Sequence, residues 1–93
     1  MELENLIRSK GVFEIIRTIG DKKTVWGDIQ KANKGKISRR TLSVRLRELK
    51  EFNFVDVEIT YVRGRPAQLY FLTKKGKKLL EVIESIEELN QKL

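Results

Sequence analysis

Residues 35–51 read GKISRRTLSVRLRELKE, and this stretch decides the fold. Ser38 is a residue type that caps helix N-termini, and it is followed by leucines at helical spacing. At 100° per residue these leucines lie within about 40° of one another, so they form one buried side. They are Leu42, Leu46 and Leu49. The stretch therefore predicts a helix from Ser38 to about Glu51.

Helical patterns also precede this stretch. Apolar residues recur at helical spacing from Glu2 to Ile19, and we expect Gly11 to divide that segment into two helices. Thr24 is expected to cap a brief helix that ends near a turn at residues 33–36. Its predicted buried residues are Trp26, Ile29 and Ala32. Two short helices joined by a glycine-containing turn predict a helix-turn-helix.

A hairpin pattern follows the helices. Phe54 to Val62 alternates and is rich in β-branched residues, which predicts a strand. Residues 63–66 are expected to form a turn because they contain Gly64 and Pro66, and residues 68–72 to form the returning strand. Thr73 is expected to cap a last helix that runs to Leu93.

The order of these elements is typical of one architecture. The prediction is an α+β, mostly helical fold, a winged helix-turn-helix with a three-helix core, a two-stranded β-hairpin wing and a C-terminal helix. We expect residues 1–93 to form a single domain, because one small core suits this length.

The charge is distributed unevenly along the chain. The net charge is +7, but residues 22–78 carry sixteen Lys and Arg against five Asp and Glu, a balance of +11, whereas both ends are mildly acidic. A basic middle favours a polyanion as partner, although a Lys-rich surface can also serve solubility alone.

Composition excludes several classes of function. The chain has no Cys and no His, which removes disulfides, thiolate metal sites and the commonest general base. We see no paired carboxylates and no glycine-rich phosphate loop, so we expect neither an enzyme nor a cofactor or metal site. No apolar run approaches the roughly 18 residues that span a bilayer, so we expect a cytoplasmic protein without membrane contact.

The predicted helix from Ser38 to Glu51 is the second helix of the helix-turn-helix, the recognition helix, and its outward face carries the candidate DNA contacts. Arginine forks match guanine edges and phosphates, serine suits phosphate or base contacts, and an outward valine suits a thymine methyl. The residues are Arg40, Ser43, Val44 and Arg47, with Ser38 and Arg39 at the N-terminal end. The alternative is an exposed arginine-rich surface without a partner.

Two further basic groups extend the predicted contact. Arg63 and Arg65 flank Gly64 in the wing, residues 61–67, where they could reach a narrow minor groove. Basic hairpin tips can also serve only to prevent edge pairing. Lys74 and Lys75 open the last helix, where positive charge opposes the helix dipole, so phosphate contacts would explain them. A solvated surface is the alternative.

Apolar residues near both termini suggest a two-fold interface formed by segments 1–9 and 79–93. The stripe on the last helix exceeds what a monomer of this size needs, and the acidic ends fit a surface kept away from DNA. The candidate residues are Leu3, Leu6, Ile7, Ile83, Ile86, Leu89 and Leu93. The alternative is that they only pack within their own domain.

Residues 35–49 resemble the recognition helix of HxlR-type regulators in the wider MarR-like group, where a similar I-S-x-R-T-L-S-x-R-L-R-E-L pattern occurs. Residues 68–76, QLYFLTKKG, are similar to that group's Y-x-L-T-x-x-G junction, and Gly64-Arg65-Pro66 resembles wings of PadR-like and ArsR-like proteins. The resemblance covers about residues 10–90.

The resemblance implies a dimeric DNA-binding repressor or activator that recognises a pseudo-palindromic operator. HxlR-type proteins often carry a sensing Cys near the N-terminus, and this chain has none, so thiol sensing does not transfer. The predicted function is a sequence-specific regulator, most simply a repressor, that binds duplex DNA as a homodimer. The alternative is a winged helix used for protein–protein contact in a larger transcription or replication assembly.

Overall fold

The computed structural model describes residues 2–91. The elements in chain order are α1 (Leu3–Arg8), α2 (Val12–Ile19), β1 (Thr24–Val25), α3 (Trp26–Ala32), α4 (Arg39–Glu51), β2 (Val55–Val62), β3 (Arg65–Leu72) and α5 (Lys74–Gln91). The strands form one antiparallel sheet in the order β1-β3-β2. This arrangement confirms the predicted α+β winged helix-turn-helix.

Gly11 separates α1 from α2, as predicted. Its φ of +90° lies in the left-handed region, and it is buried against Ile37. A Cβ at this position would lie 2.9 Å from Cδ1 of Ile37, so both the backbone conformation and the space require glycine. The break lets α1 pack back on α2 and bury Leu6.

Asn33 fixes the turn between α3 and α4. Its side chain is buried, and Nδ2 donates to the carbonyl of Ile29 at 2.8 Å and to Oγ1 of Thr18 at 3.2 Å. Its own carbonyl accepts from the backbone N–H groups of Lys36 and Ile37, each at 3.0 Å. One buried amide therefore links the turn of the helix-turn-helix to α2.

Both ends of α4 are capped. At the start, Oγ of Ser38 accepts from the N–H of Thr41 at 3.1 Å, which confirms the predicted cap. At the end, Asn53 adopts a φ of +63°, and the N–H of Phe54 donates to the carbonyl of Leu49 at 2.9 Å. Together with a 2.9 Å bond from the N–H of Asn53 to Lys50, this is a Schellman motif with asparagine in place of the usual glycine.

The hairpin is tighter than predicted. Arg63 and Gly64 alone form the turn, with φ of +53° and +78°, and β3 already begins at Arg65. The prediction of a turn through Pro66 was therefore wrong. Pro66 is tolerated in the strand because it follows the Val62–Arg65 pair, so its N atom points away from β2. On the other side of β3, β1 does not extend as far as Pro66, so no partner strand needs an N–H there.

Thr24 begins a strand and does not cap α3, which corrects the sequence prediction. Thr24 pairs with Tyr70 and Val25 pairs with Leu69, so β1 covers the inner end of β3. The sequence does not predict β1, because two residues are too few to show strand alternation. The pairing of β1 also depends on β3, which lies more than forty positions away. The sheet therefore has three strands, of which β2 and β3 form the hairpin that carries the wing at its tip.

Thr73 caps α5 as predicted, because its Oγ1 accepts from the N–H of Gly76 at 3.1 Å. Thr73 Oγ1 also donates to the carbonyl of Asn53, which joins the start of α5 to the end of α4. The helix buries Gly76, Leu79 and Ile83 against the domain. Its opposite side faces away from the core.

The hydrophobic core lies between α2, α4, the inner half of the sheet and α5. The predicted leucine face of α4 is buried within it. The buried apolar side chains are Leu6, Val12, Ile15, Ile16, Ile19, Ile29, Ile37, Leu42, Leu46, Leu49, Phe54, Val55, Tyr70, Leu72, Leu79 and Ile83. This core holds α4 rigidly, with one face left for solvent.

Candidate nucleic-acid interface

The exposed face of α4 carries a polar stripe. Arg40, Ser43 and Arg47 recur at i, i+3 and i+7, opposite the buried leucines, and all three are exposed. Within residues 2–91 neither arginine has an ion-pair or hydrogen-bond partner. Seven residues of helix rise about 10 Å, roughly the length of three stacked base pairs. Both guanidinium groups are thus available to a ligand along one line.

Arg45 has a different role. Its Nη1 lies 2.8 Å from Oε1 of Glu48 in a partly buried ion pair, and its Nε donates to the carbonyl of Lys10 at 3.0 Å. Arg45 therefore ties α4 to the junction between α1 and α2. The arginines of α4 therefore differ by face: Arg40 and Arg47 are exposed, whereas Arg45 stabilises the fold.

The N-terminal end of α4 is built differently from the sequence expectation. The guanidinium of Arg39 lies over the ring of Trp26, 5.6 Å from its centroid, which is a cation–π distance. The hydroxyl of Ser38 is engaged by its cap and also donates to Oγ1 of Thr41 at 3.0 Å. Val44 is half-buried and not fully outward. Of these predicted contact residues, Arg39 keeps its charged group at the surface.

The wing stands beside the recognition helix. Arg63 and Arg65 are exposed at the tip and, among the described residues, have no acidic partner. A shallow groove separates α4 from the hairpin and is lined by Ser43, Leu46, Arg47, Lys50, Val57, Gln68 and Tyr70. The groove therefore places Ser43 and Arg47 of α4 beside the hairpin whose tip carries Arg63 and Arg65.

Lys50 was absent from the predicted contact set. It lines this groove and lies three residues after Arg47, so the periodicity that selected Ser43 and Arg47 would also have found it. Its position adds a fourth exposed cation to the helix surface.

Tyr70 lies at the floor of the groove. Burial raises the pKa of its phenol, and the hydroxyl donates to Oε1 of Gln68 at 2.9 Å. The phenol is therefore neutral at physiological pH, and it holds the amide of Gln68 in place beside α4.

The two lysines at the start of α5 differ. Lys74 is exposed and free of contacts among residues 2–91, as a phosphate contact requires. Lys75 instead donates to the carbonyl of Phe52 at 2.8 Å, with its Nζ 4.6 Å from the ring centroid of Phe54. Its ammonium group closes the α4–β2 connection, so the structure assigns it a structural contact that charge counting missed.

The proposed dimer residues divide into two groups. Leu6 and Ile83 are fully buried in the chain's own core and offer no surface, which corrects their assignment to an interface, and Ile7 is half-buried against that core. The residues that remain exposed are Leu3, Ile86 and Leu89, to which the structure adds Val82. Leu93 lies outside the described residues.

A protein-family model described as HxlR-like helix-turn-helix matches residues 6–93, which is nearly the whole chain. The chain belongs to the HxlR-like helix-turn-helix family. The family match includes the α4 stripe, the wing and the start of α5. The comparison with curated protein sequences gave no match.

Solved structures agree with the HxlR-like fold. A protein assigned to the MarR family of transcriptional regulators from Porphyromonas gingivalis W83 is 25% identical with a TM-score of 0.82, over 94% of this chain and 83% of that chain. An Enterococcus faecalis V583 protein of the same assignment is 24% identical with a TM-score of 0.82, over 95% and 78%. A PadR-family regulator from Clostridium difficile R20291 is 19% identical with a TM-score of 0.79, over 87% and 90%.

The HxlR-like family and the winged fold together support a DNA-binding transcriptional regulator. None of the helices in residues 2–91 is long and apolar enough to cross a bilayer. The same residues contain no cluster of three acidic side chains arranged to hold a metal ion.

Proposed function

We propose that this HxlR-like protein is a sequence-specific repressor that binds a pseudo-palindromic duplex operator as a homodimer. The observation that carries the proposal is the line of unpaired arginines on the exposed face of α4, Arg40 and Arg47. A repressor of this kind acts by occupying its operator and so blocking transcription.

The recognition step places α4 in the major groove. Arg40 and Arg47 are anchored by a helix whose opposite face is locked in the core, so their forks meet guanine edges or phosphates with little reorganisation. Ser43 lies between them and suits a base or phosphate contact. Arg39 and Lys74 add phosphate contacts at the N-termini of α4 and α5.

The wing, residues 61–67, reaches the neighbouring minor groove in this proposal. Arg63 and Arg65 are exposed and unpaired among the described residues, and a narrow minor groove has a negative potential that attracts arginine.

Two-fold symmetry is supported by the exposed side of α5. Val82, Ile86 and Leu89 recur at i, i+4 and i+7 and leave an apolar stripe with no cover in the described chain. A second copy that covers this stripe presents two recognition helices, which matches a palindromic site with half-sites about 34–36 Å apart.

Selection of bound duplexes from a random pool, followed by footprinting, tests the proposal directly. We expect two protected half-sites and an affinity that falls with salt at a log–log slope of about −0.9 per neutralised phosphate. Arg40→Ala and Arg47→Ala are expected to weaken operator binding more than binding to unrelated duplex, by roughly 10- to 100-fold. Lys74→Ala is expected to weaken both equally.

If all three variants lose the same affinity for operator and for unrelated DNA, Arg40 and Arg47 do not contribute to sequence recognition. Failure of the wild-type protein to bind duplex DNA at low salt would overturn the proposal and favour the protein–protein module. A reporter gene under the selected operator tests repression, because transcription should rise when Arg47→Ala replaces the wild type.

A further inference from the structure

The hairpin of β2 and β3 carries exposed apolar side chains that neither the core nor the arginine contacts explain. Ile59 is 62% exposed and Tyr61 is 70% exposed, both on β2. Chains of this size leave single apolar residues at the surface, but these two are neighbours on one side of a strand. They form a small apolar surface next to the charged tip.

Strand alternation places Ile59 and Tyr61 on the face that α4 covers. Val57 lies on this face and lines the groove beside α4, and positions 59 and 61 continue it toward the tip. Their cross-strand partners are Gln68 and Pro66, which share the face. We call this surface the inner wing face: Ile59, Tyr61, Pro66 and Gln68.

The acidic residues of β2 lie on the opposite face of the hairpin. Asp56 and Glu58 alternate with the inner positions, and Glu58 pairs with Lys23 at 2.9 Å on that side. The inner wing face therefore has no carboxylate, and cations border it at Arg47, Lys50 and Arg63. A surface of apolar groups without negative charge, bordered by arginine and lysine, suits a ligand that carries both phosphates and apolar C–H groups, as the sugar–phosphate backbone does.

We propose that the inner wing face packs against the deoxyribose edges of duplex DNA beside the minor groove, with Tyr61 as its main contact. The inference rests on the proposed DNA-binding function and adds a contact that carries no charge. The ring of Tyr61 covers sugar C–H groups, Ile59 extends the cover toward α4, and Arg63 neutralises the adjacent phosphate. The wing thus contributes affinity through apolar burial as well as through charge.

Salt dependence separates this contact from an arginine contact. Tyr61→Ser is expected to weaken operator binding roughly tenfold with an unchanged salt slope, because no phosphate loses its cation. Arg63→Asn keeps a residue that tolerates the left-handed backbone, and it is expected to reduce the slope by about one contact. Tyr61→Phe keeps the ring and should bind within about twofold of wild type.

Val62→Ser is the matched control. Val62 is 47% exposed and lies next to Tyr61 on the opposite face of the same strand, so its truncation removes an apolar side chain from the wing and leaves the inner wing face unchanged. It should bind as the wild type does. Hydroxyl-radical footprinting should show sugar protection beside each half-site that is lost in Tyr61→Ser and kept in Val62→Ser.

Three results would overturn the inference. If the wild-type protein binds its operator and Tyr61→Ser keeps the same affinity and footprint, the Tyr61 contact is wrong and the proposed function is unaffected. A change from dimer to monomer in Tyr61→Ser, measured by sedimentation, would assign the inner wing face to a second copy. A wild-type protein that binds no duplex DNA would overturn the proposed function and this contact together.

Discussion

Arg39 begins α4 and lies over the indole of Trp26. A guanidinium at the N-terminus of a helix gains nothing from the helix dipole, so the ring supplies the interaction that orients it. The spacing of Trp26 with Ile29 predicts a core position, and Trp26 is half-buried, with its ring against both the core and the arginine. Trp26 is thus a positioning residue for a proposed DNA contact.

Removal of the Trp26 indole should weaken DNA binding only because Arg39 loses its orientation. Trp26→Leu keeps an apolar side chain but loses the π face, and we expect operator affinity to fall about two- to fivefold. In a double-mutant cycle, Trp26→Leu combined with Arg39→Ala should bind no more weakly than Arg39→Ala alone. Additive losses in the cycle would contradict the positioning role.

The indole also gives a direct readout. The chain contains one tryptophan, so its fluorescence reports this site without labelling. Operator DNA should change the emission of the wild-type protein and change it less in Arg39→Ala. Thermal unfolding of each variant provides the control for loss of structure.

At the scale of elements, the start of α5 packs directly on the backbone just before β2. A Cβ on Gly76 would lie 2.0 Å from the carbonyl oxygen of Phe54, far inside van der Waals contact. The N–H of Thr73 also donates to that carbonyl at 3.1 Å, so the two segments cannot separate without losing the bond. The glycine in the motif shared with HxlR-type regulators therefore has a packing reason.

Gly76→Ala should destabilise the fold by about 3 kcal/mol, the upper part of the usual range for overpacking. Gly27→Ala is the matched control, because that glycine lies in α3 with open space around its Cβ position. The control should be neutral or stabilise by up to about 1 kcal/mol through helix propensity. Denaturant unfolding measures both, and equal stabilities for the two variants would contradict the packing argument.

Considered as a whole, the molecule carries its candidate DNA contacts and its longest exposed apolar stripe on different elements. The cations proposed to contact DNA lie mostly on α4 and the wing, whereas the exposed stripe of α5 is made of Val82, Ile86 and Leu89. Residues 79–93 carry four glutamates, which a DNA surface would repel. This separation supports a self-associating helix that remains free when DNA is bound.

Leu89→Glu should convert a dimer to a monomer in sedimentation experiments, because a charge buried in an apolar interface is strongly unfavourable. Leu89 is 65% exposed in the single chain, so the fold should survive. Gln91→Glu adds the same charge at an exposed α5 position on the side of the helix opposite the stripe, and it should remain dimeric. A monomeric wild-type protein would contradict the two-fold model, and with it the paired half-sites.

Much of the fold could be predicted because the signals are local. The capping of α4 by Ser38, its leucine face and the break at Gly11 each involve residues within a few positions or a repeating apolar pattern. The arginine stripe follows from the same periodicity, since the face opposite the leucines must be exposed. These features determined the architecture and the recognition-helix part of the candidate site from sequence alone.

Only the tertiary structure decided which partners distant residues meet. The pairing of β1 with β3, the bond from Lys75 to Phe52 and the burial of Ile83 join segments that no local pattern relates. On α5 the sequence predicts Ile83 at the interface, but the helix rotation fixed by Gly76 against Phe54 buries Ile83 in the core and leaves Val82 outward. Helical spacing gives the relative positions of side chains around an axis, but the side that faces the core depends on what packs there.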